Sequence, residues 1–206
     1  MNQRQLQKSR TRSQIVRSAV RLLKMRGLAE ASVADVMADA GLTVGGFYAH
    51  FDSKEALAKE AVRQGLKERR ELFLKRPDRD GWRPRLLSAL KEYFSQQHRD
   101  DVENGCPMSM AAMDAARSGI AAKAFAEEII QMAEAFESGQ GSSRAPREAA
   151  LGSLSLMVGG MILARAAKGT ALSDEILQAA QSFSDAALSR LAQGDARGSS
   201  TVRSEP

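Results

Sequence analysis

Of the side chains that most readily do acid–base or nucleophilic chemistry near neutral pH, this 206-residue chain has two histidines, His50 and His98, and a single cysteine, Cys106. A catalytic constellation needs a nucleophile, a base and an orienting group within reach of one another, and a four-cysteine zinc site needs more thiols than the chain has. His98 stands beside Asp100 and Asp101 near an expected helix end, where a lone histidine among acids reads as solvated, so no metal is expected. No glycine-rich phosphate loop occurs. The residues therefore argue against an enzyme and call for no cofactor.

The other chemistry on offer is contact. In "AGLTVGGFYAHFDSKEAL" (40–57), Phe47 and Phe51 share one side of a short helix, and the opposite arc carries Gly45 and Ala49 with Gly46 beside them. Tyr48 and His50 lie on the shoulders of that bare ridge. Each glycine costs a helix about 1 kcal/mol relative to alanine. A side-chain-poor ridge between polar shoulders suits a channel such as the DNA major groove, about 12 Å wide with phosphates on both rims. Glycines allow backbone to approach base edges, while the Tyr48 hydroxyl and the His50 imidazole reach phosphates. Thr43 adds a hydroxyl at the helix start, and Lys54 a cation beyond its end. Val44 falls toward the apolar side and reads equally well as core or contact.

Helices must position this ridge. The pattern predicts a first helix capped by Thr11 with Gln14, burying Ile15, Val16, Ala19, Val20, Leu22 and Leu23 and ending at Gly27. Ser32, helped by Asp35, caps a second helix through Val33, Val36, Met37 and Ala40, and Gly41 ends it. Asp52 and Glu55 suggest a cap for a long helix from about Ser53 to Lys75. Helix, glycine turn and short helix make a helix-turn-helix signature. The net charge of +5 is unevenly placed: residues 1–29 carry Arg4, Lys8, Arg10, Arg12, Arg17, Arg21, Lys24 and Arg26 with no acid. Such a block suits an anionic partner or forms a solvated face.

Residues from about Thr11 to Val62 resemble the amino-terminal domain of the TetR family of bacterial transcriptional regulators. The likeness rests on Ser32, Val33 and Val36 and on the glycine, Ser/Thr, glycine, Tyr-x-His-Phe and Lys-Glu pattern of residues 40–57. The resemblance implies an all-α homodimer: a three-helix amino-terminal DNA-binding domain and a larger carboxy-terminal helical domain for ligand binding and dimerisation. It implies that Thr43, Val44, Gly45 and Gly46 face bases or backbone and that Ser32, Tyr48, His50 and Lys54 touch phosphate. Gly46 departs from the pattern, standing where many relatives carry a larger or hydroxylated side chain. It also implies a near-palindromic duplex operator and release by a small-molecule effector.

Past Pro77–Pro84, helices are expected at about 84–99, 107–118, 120–137, 145–168 and 173–192, with a loop at 138–146 and a reversal at Gly169–Thr170. The boundaries that follow are a basic arm and DNA-binding domain (1–52), a connecting helix (about 53–75), an effector and dimerisation domain (76–193) and a disordered tail (194–206). Cys106, at the start of a helix opened by Pro107, is placed either to fill a helix entry or to react with electrophiles. Met110, Met113, Phe125, Met132, Met157 and Met161 outline either core or a pocket for an apolar effector. Gly152, Ser155 and Gly159 form a small-residue stripe fit for a subunit contact or an intrachain one. The helices at 145–168 and 173–192 are the implied dimer surface. The apolar run 149–164 is short of the roughly 20 residues that span a bilayer and is bracketed by Arg147, Glu148 and Arg165, so a buried helix is expected. With no apolar leader core at the start, the expected location is cytoplasmic. The competing reading is an interaction module whose head binds protein or an anionic membrane.

Overall fold

The computed structural model describes residues 2–75, 82–137 and 145–200, and within them every regular element is helical. Asn2, not Thr11, opens the first helix, α1 (Gln3–Arg26): its side chain accepts from the Arg4 amide while Gln5 accepts from the Asn2 amide. Thr11 and Gln14 sit inside the helix, and Gln14 Nε2 donates instead to the Ala40 carbonyl at 2.5 Å. Both Asn2–Gln5 and Thr11–Gln14 satisfy the capping-box pattern, which does not rank two candidates on one continuous helix. Gly27 ends α1 at φ +83°.

The contacts divide the chain into two units. The first joins Met1–Glu71 to Val102–Ile130, and the second joins Leu72–Asp101 to Gln131–Pro206. The expected domains followed chain order; the structure groups 102–130 with the amino-terminal helices.

In the first unit, α2 (Val33–Asp39) is capped by Ser32, which shares a reciprocal box with Asp35. Gly41 at φ +67° then turns the chain, with the Leu42 amide bonded to the Met37 carbonyl at 2.8 Å. Next comes a 3-10 helix (Val44–Ala49), then α3 (Lys54–Leu74). The cap of α3 is Ser53, one residue past the expected Asp52: its hydroxyl accepts from Ala56 at 3.0 Å, the third amide of the helix. Ile15, Ala19, Leu23, Phe47, Ala61 and Leu66 form the fully enclosed centre.

This unit's later residues are α6 (Met108–Ser118) and the first turns of α7 (Ala122–Glu137). Two contacts explain why they join the head. A side chain at Gly65 would meet the Pro107 ring at 2.9 Å, so glycine there lets α3 approach closely. Asp114, 8% exposed, turns its carboxylate onto the amides of Leu28 (2.6 Å) and Ala29 (3.3 Å) in the α1–α2 turn. Arg70 and Glu128 add a largely buried ion pair at 2.5 Å between α3 and α7.

The second unit contains α4 (Trp82–Tyr93), α5 (Gln96–Asp100), α8 (Arg147–Ala166) and α9 (Ala171–Ser200). The helix expected at 84–99 is broken at Phe94, because Ser95 caps α5 through the His98 amide at 3.1 Å. Tyr93, Leu90, Met132, Met157 and Met161 are enclosed, and Phe73 meets Phe136 at 5.1 Å. Gly160 lets Phe94 approach: a Cβ there would lie 2.9 Å from its ring. α9 continues past Gly194, where an unpatterned tail was expected, and residues 201–206 lie outside the described part, as does most of the 138–146 loop. α8 is the one described helix whose length and hydropathy match a membrane span, and 44% of its apolar window is buried.

Candidate nucleic-acid interface

The candidate reading edge is built by the turn after α2 and the 3-10 helix. Phe47 and Phe51 point inward and stack at 5.8 Å, which anchors the segment. The other side is open. Thr43, Val44, Gly45, Tyr48 and Ala49 are exposed, Val44 by 47% and Tyr48 by 71%. A Cβ at Gly45 would meet nothing within 4 Å, and one at Gly46 only the Met37 methyl at 3.8 Å.

The α-helical wheel drawn from sequence needs correction here. With three residues per turn, Gly45 lines up with Tyr48 and Gly46 with Ala49. Tyr48 thus extends the glycine ridge rather than flanking it, propped edge-on against Phe47 at 5.2 Å. Two adjacent glycines and a six-residue span leave the i→i+4 ladder little to build on. Thr43 occupies the cap position but makes no capping hydrogen bond, which leaves its hydroxyl available.

The shoulder residues differ in their commitments. The Ser32 hydroxyl accepts from the Asp35 amide and donates to the Asp35 carboxylate at 2.8 Å. Those bonds from Ser32, together with Arg26, hold the Asp35 carboxyl below its usual range, so it is ionised. Lys54 donates one ammonium proton to the Ala29 carbonyl at 2.8 Å and keeps two. His50 is half-buried, and its Nδ1 is enclosed without a hydrogen-bond partner. Burial first, then the charges of Lys8 and Arg12, push its imidazole below the ordinary histidine range.

Sequence reasoning counted Arg12 in the basic block and missed its place at this site. Its guanidinium lies over the Phe51 ring at 4.6 Å and pairs with Glu60, clamping the end of the reading segment to α1 and α3. The only hint was a cation next to an apolar face. Other cations of the basic block are also paired: Arg21 with Asp39 and Glu103, and Arg26 with Asp35. Arg4, Lys8, Arg10, Arg17 and Lys24 make no ion pair among the described residues.

The residues expected to meet an effector fall in both units. Cys106, Met110, Met113 and Phe125 belong to the first, and Met132, Met157 and Met161 to the second. Met132, Met157 and Met161 are fully enclosed, whereas Met113 is 37% exposed. Cys106 is buried, and its sulfur accepts from the Met108 amide at 3.4 Å. An apolar cavity of about 430 Å³ lies elsewhere, between α8 and α9, beside Gly152, Ser155 and Phe183. His98 Nδ1 is 2.8 Å from the Tyr93 carbonyl and Asp100 is held by Arg99 and Lys168; among the described residues no three metal-ligating side chains converge.

A helix-turn-helix whose second element offers an exposed, glycine-lined edge beside cations defines a DNA-binding head of the kind carried by transcription regulators. Residues 15–61 match the family described as bacterial regulatory proteins, tetR family. The fold of the whole chain agrees. A TetR regulator from Chloroflexus aurantiacus superposes with a TM-score of 0.65 at 21% identity, covering 89% of this chain and 96% of that one. NemR of Escherichia coli in its reduced form gives 0.65 at 19% identity, with 84% and 95% covered. A TetR-family regulator from Cytophaga hutchinsonii gives 0.62 at 21%, with 85% and 94% covered. Identities this low speak to fold. No curated protein matches the sequence.

Proposed function

We propose that the protein is a ligand-responsive repressor: a cytoplasmic homodimer that holds a near-palindromic duplex operator and releases it when a small apolar or electrophilic effector binds its larger helical part. The observation that carries the DNA half is the open edge from Thr43 to Tyr48, where Gly45 faces empty space while Phe47 and Phe51 fix its back. In this reading Thr43, Val44, Gly45 and Gly46 meet bases or backbone. Ser32, Tyr48, His50 and Lys54 hold phosphates, Ser32 by turning its hydroxyl away from Asp35. With so few side-chain donors on the ridge, specificity leans on Thr43, on Val44 or Ala49 against thymine methyls, and on DNA shape.

Dimerisation through α8 and α9 is supported by what their outer side leaves uncovered. Gly152, Ser155 and Gly159 are exposed, and a Cβ at either glycine meets nothing within 4 Å. Leu163 and Phe183 are 59% and 68% exposed on the same two helices. A two-fold dimer sets its reading elements about 34–36 Å apart, or somewhat more. The effector class rests on the methionine-rich composition around α6, α7 and α8, and its electrophilic variant on Cys106. Alkylation of that thiol with no change in operator affinity removes the electrophile.

Selection of bound sites from random duplex DNA tests the proposal. An enriched inverted repeat is expected; recovery of unenriched DNA overturns it. On the selected site, Tyr48→Ala should weaken operator and random DNA by similar factors, whereas Thr43→Ala should change sequence preference. An operator-selective loss for Tyr48→Ala reverses those assignments.

A further inference from the structure

α1 starts well before anything packs against it. Every residue from Asn2 to Arg10 is exposed, and the first enclosed side chain is Ile15. The overhang is nevertheless a finished helix, closed by the Asn2–Gln5 capping box and projecting about 12 Å at 1.5 Å per residue. It has no apolar face that would anchor it to a core, and such short free-standing helix is marginal in water.

Its charges are arranged. Arg4, Lys8 and Arg12, spaced i, i+4 and i+8, form one stripe along the helix, whereas Arg10 lies about 200° around from Lys8. The stripe's last member, Arg12, lies over Phe51 at the end of the reading segment, and Gln14 is tied to Ala40 in the helix-turn-helix. Following the stripe outward leads from that end to Lys8 and then Arg4, neither of which has an ion-pair partner among the described residues. Lys8 lies one turn before Arg12 on the same side of the helix, and the charges of both act on His50.

We propose that the overhanging turns of α1 are a second DNA contact, in which Arg4 and Lys8 grip phosphates flanking the stretch read by residues 43–50. The proposal rests on the DNA-binding reading above and extends it beyond the helix-turn-helix. A cationic stripe suits any anionic surface; its continuity with the edge at Thr43–Tyr48, through Arg12 over Phe51, selects duplex phosphate as the occupant over an anionic membrane. The contact carries no base specificity and adds affinity that salt removes.

The test is equilibrium binding of the full-length protein to its selected duplex between about 50 and 200 mM salt, for wild type, Arg4→Ala/Lys8→Ala and Arg10→Ala. Each neutralised phosphate contributes about 0.9 to the slope of log affinity against log salt, so four contacts in a dimer contribute about 3.6. The double variant should show a slope shallower by that amount and lose about 100-fold less affinity across the range, with unchanged helicity. Arg10→Ala should run parallel to wild type. Parallel slopes for the double variant and a tightly binding wild type overturn the arm contact alone. An equal effect of Arg10→Ala overturns it in favour of general charge. A wild type that binds phosphatidylserine vesicles and no duplex sinks both this contact and the regulator reading.

Discussion

Replacing Asp114 by alanine removes the acceptor for two backbone amides in the α1–α2 turn. The Leu28 amide, 2.6 Å from the carboxylate, belongs to a residue only 2% exposed, so water cannot take over. An orphaned buried donor costs about 1–3 kcal/mol, and the half-buried Ala29 amide adds less. Alanine's better helix propensity in α6 returns at most about 0.7 kcal/mol. The expected net loss is about 2–3 kcal/mol, read by urea or thermal unfolding, with each kcal/mol lowering Tm by about 2–4 °C at this chain length. Asp114→Asn, which keeps the shape and one acceptor, should cost less. Gly27 supplies an internal check: at φ +83° and ψ 159° it occupies a region open essentially to glycine alone, and a Cβ there would lie 2.7 Å from Asp114 Oδ1. Gly27→Ala should cost about 1–3 kcal/mol in strain plus the clash. Only the clash disappears when Asp114 is also alanine, so the double variant should fall short of the sum by at least about 0.5 kcal/mol. Strict additivity, or an Asp114→Ala protein within about 0.5 kcal/mol of wild type, would falsify the account of this turn.

Gly45→Ala should raise stability by up to about 1 kcal/mol, since its Cβ meets only solvent, while weakening operator binding; denaturation and a titration report the two opposite changes. Because the folded-state pKa of His50 is lowered, the protein binds fewer protons there than the unfolded chain. Its contribution to stability is present above about pH 6.5 and is lost as pH falls through the lowered value, so His50→Gln should flatten that dependence in unfolding curves. DNA phosphate favours the protonated ring, so the wild type should take up a proton on binding, and His50→Gln should not. Gly160→Ala should destabilise the fold against Phe94 within the protomer, whereas Gly159→Leu, whose side chain meets no neighbour there, should shift sedimentation toward monomer and make unfolding less dependent on protein concentration.

Much of this fold is legible because short-range chemistry dictates it. Ser32 with Asp35, Gly27, Gly41 and the Gly169–Thr170 reversal mark helix ends by their own hydrogen bonds and dihedral angles. The six apolar residues of α1 named from spacing are all buried. Errors arose where two local solutions compete: Asn2 against Thr11, Ser53 against Asp52, and Ser95 interrupting an otherwise unbroken apolar period. The open edge at Thr43–Tyr48 was readable from residue types, but its 3-10 winding was not, since six residues hold too few turns to fix a period. Long-range partners left no trace in the pattern. Nothing in "MDAARSG" says that Asp114 belongs to a turn 86 residues earlier.

That partnership has a consequence for anyone recombining proteins of this fold. The first unit is assembled from two separate stretches of chain, with residues 72–101 between them. A chimera made by one crossover after α3 leaves the Leu28 and Ala29 amides facing a foreign helix, and Gly65 without its own Pro107. Heads exchanged this way arrive without their floor, and a transferable module carries 102–130 along with it.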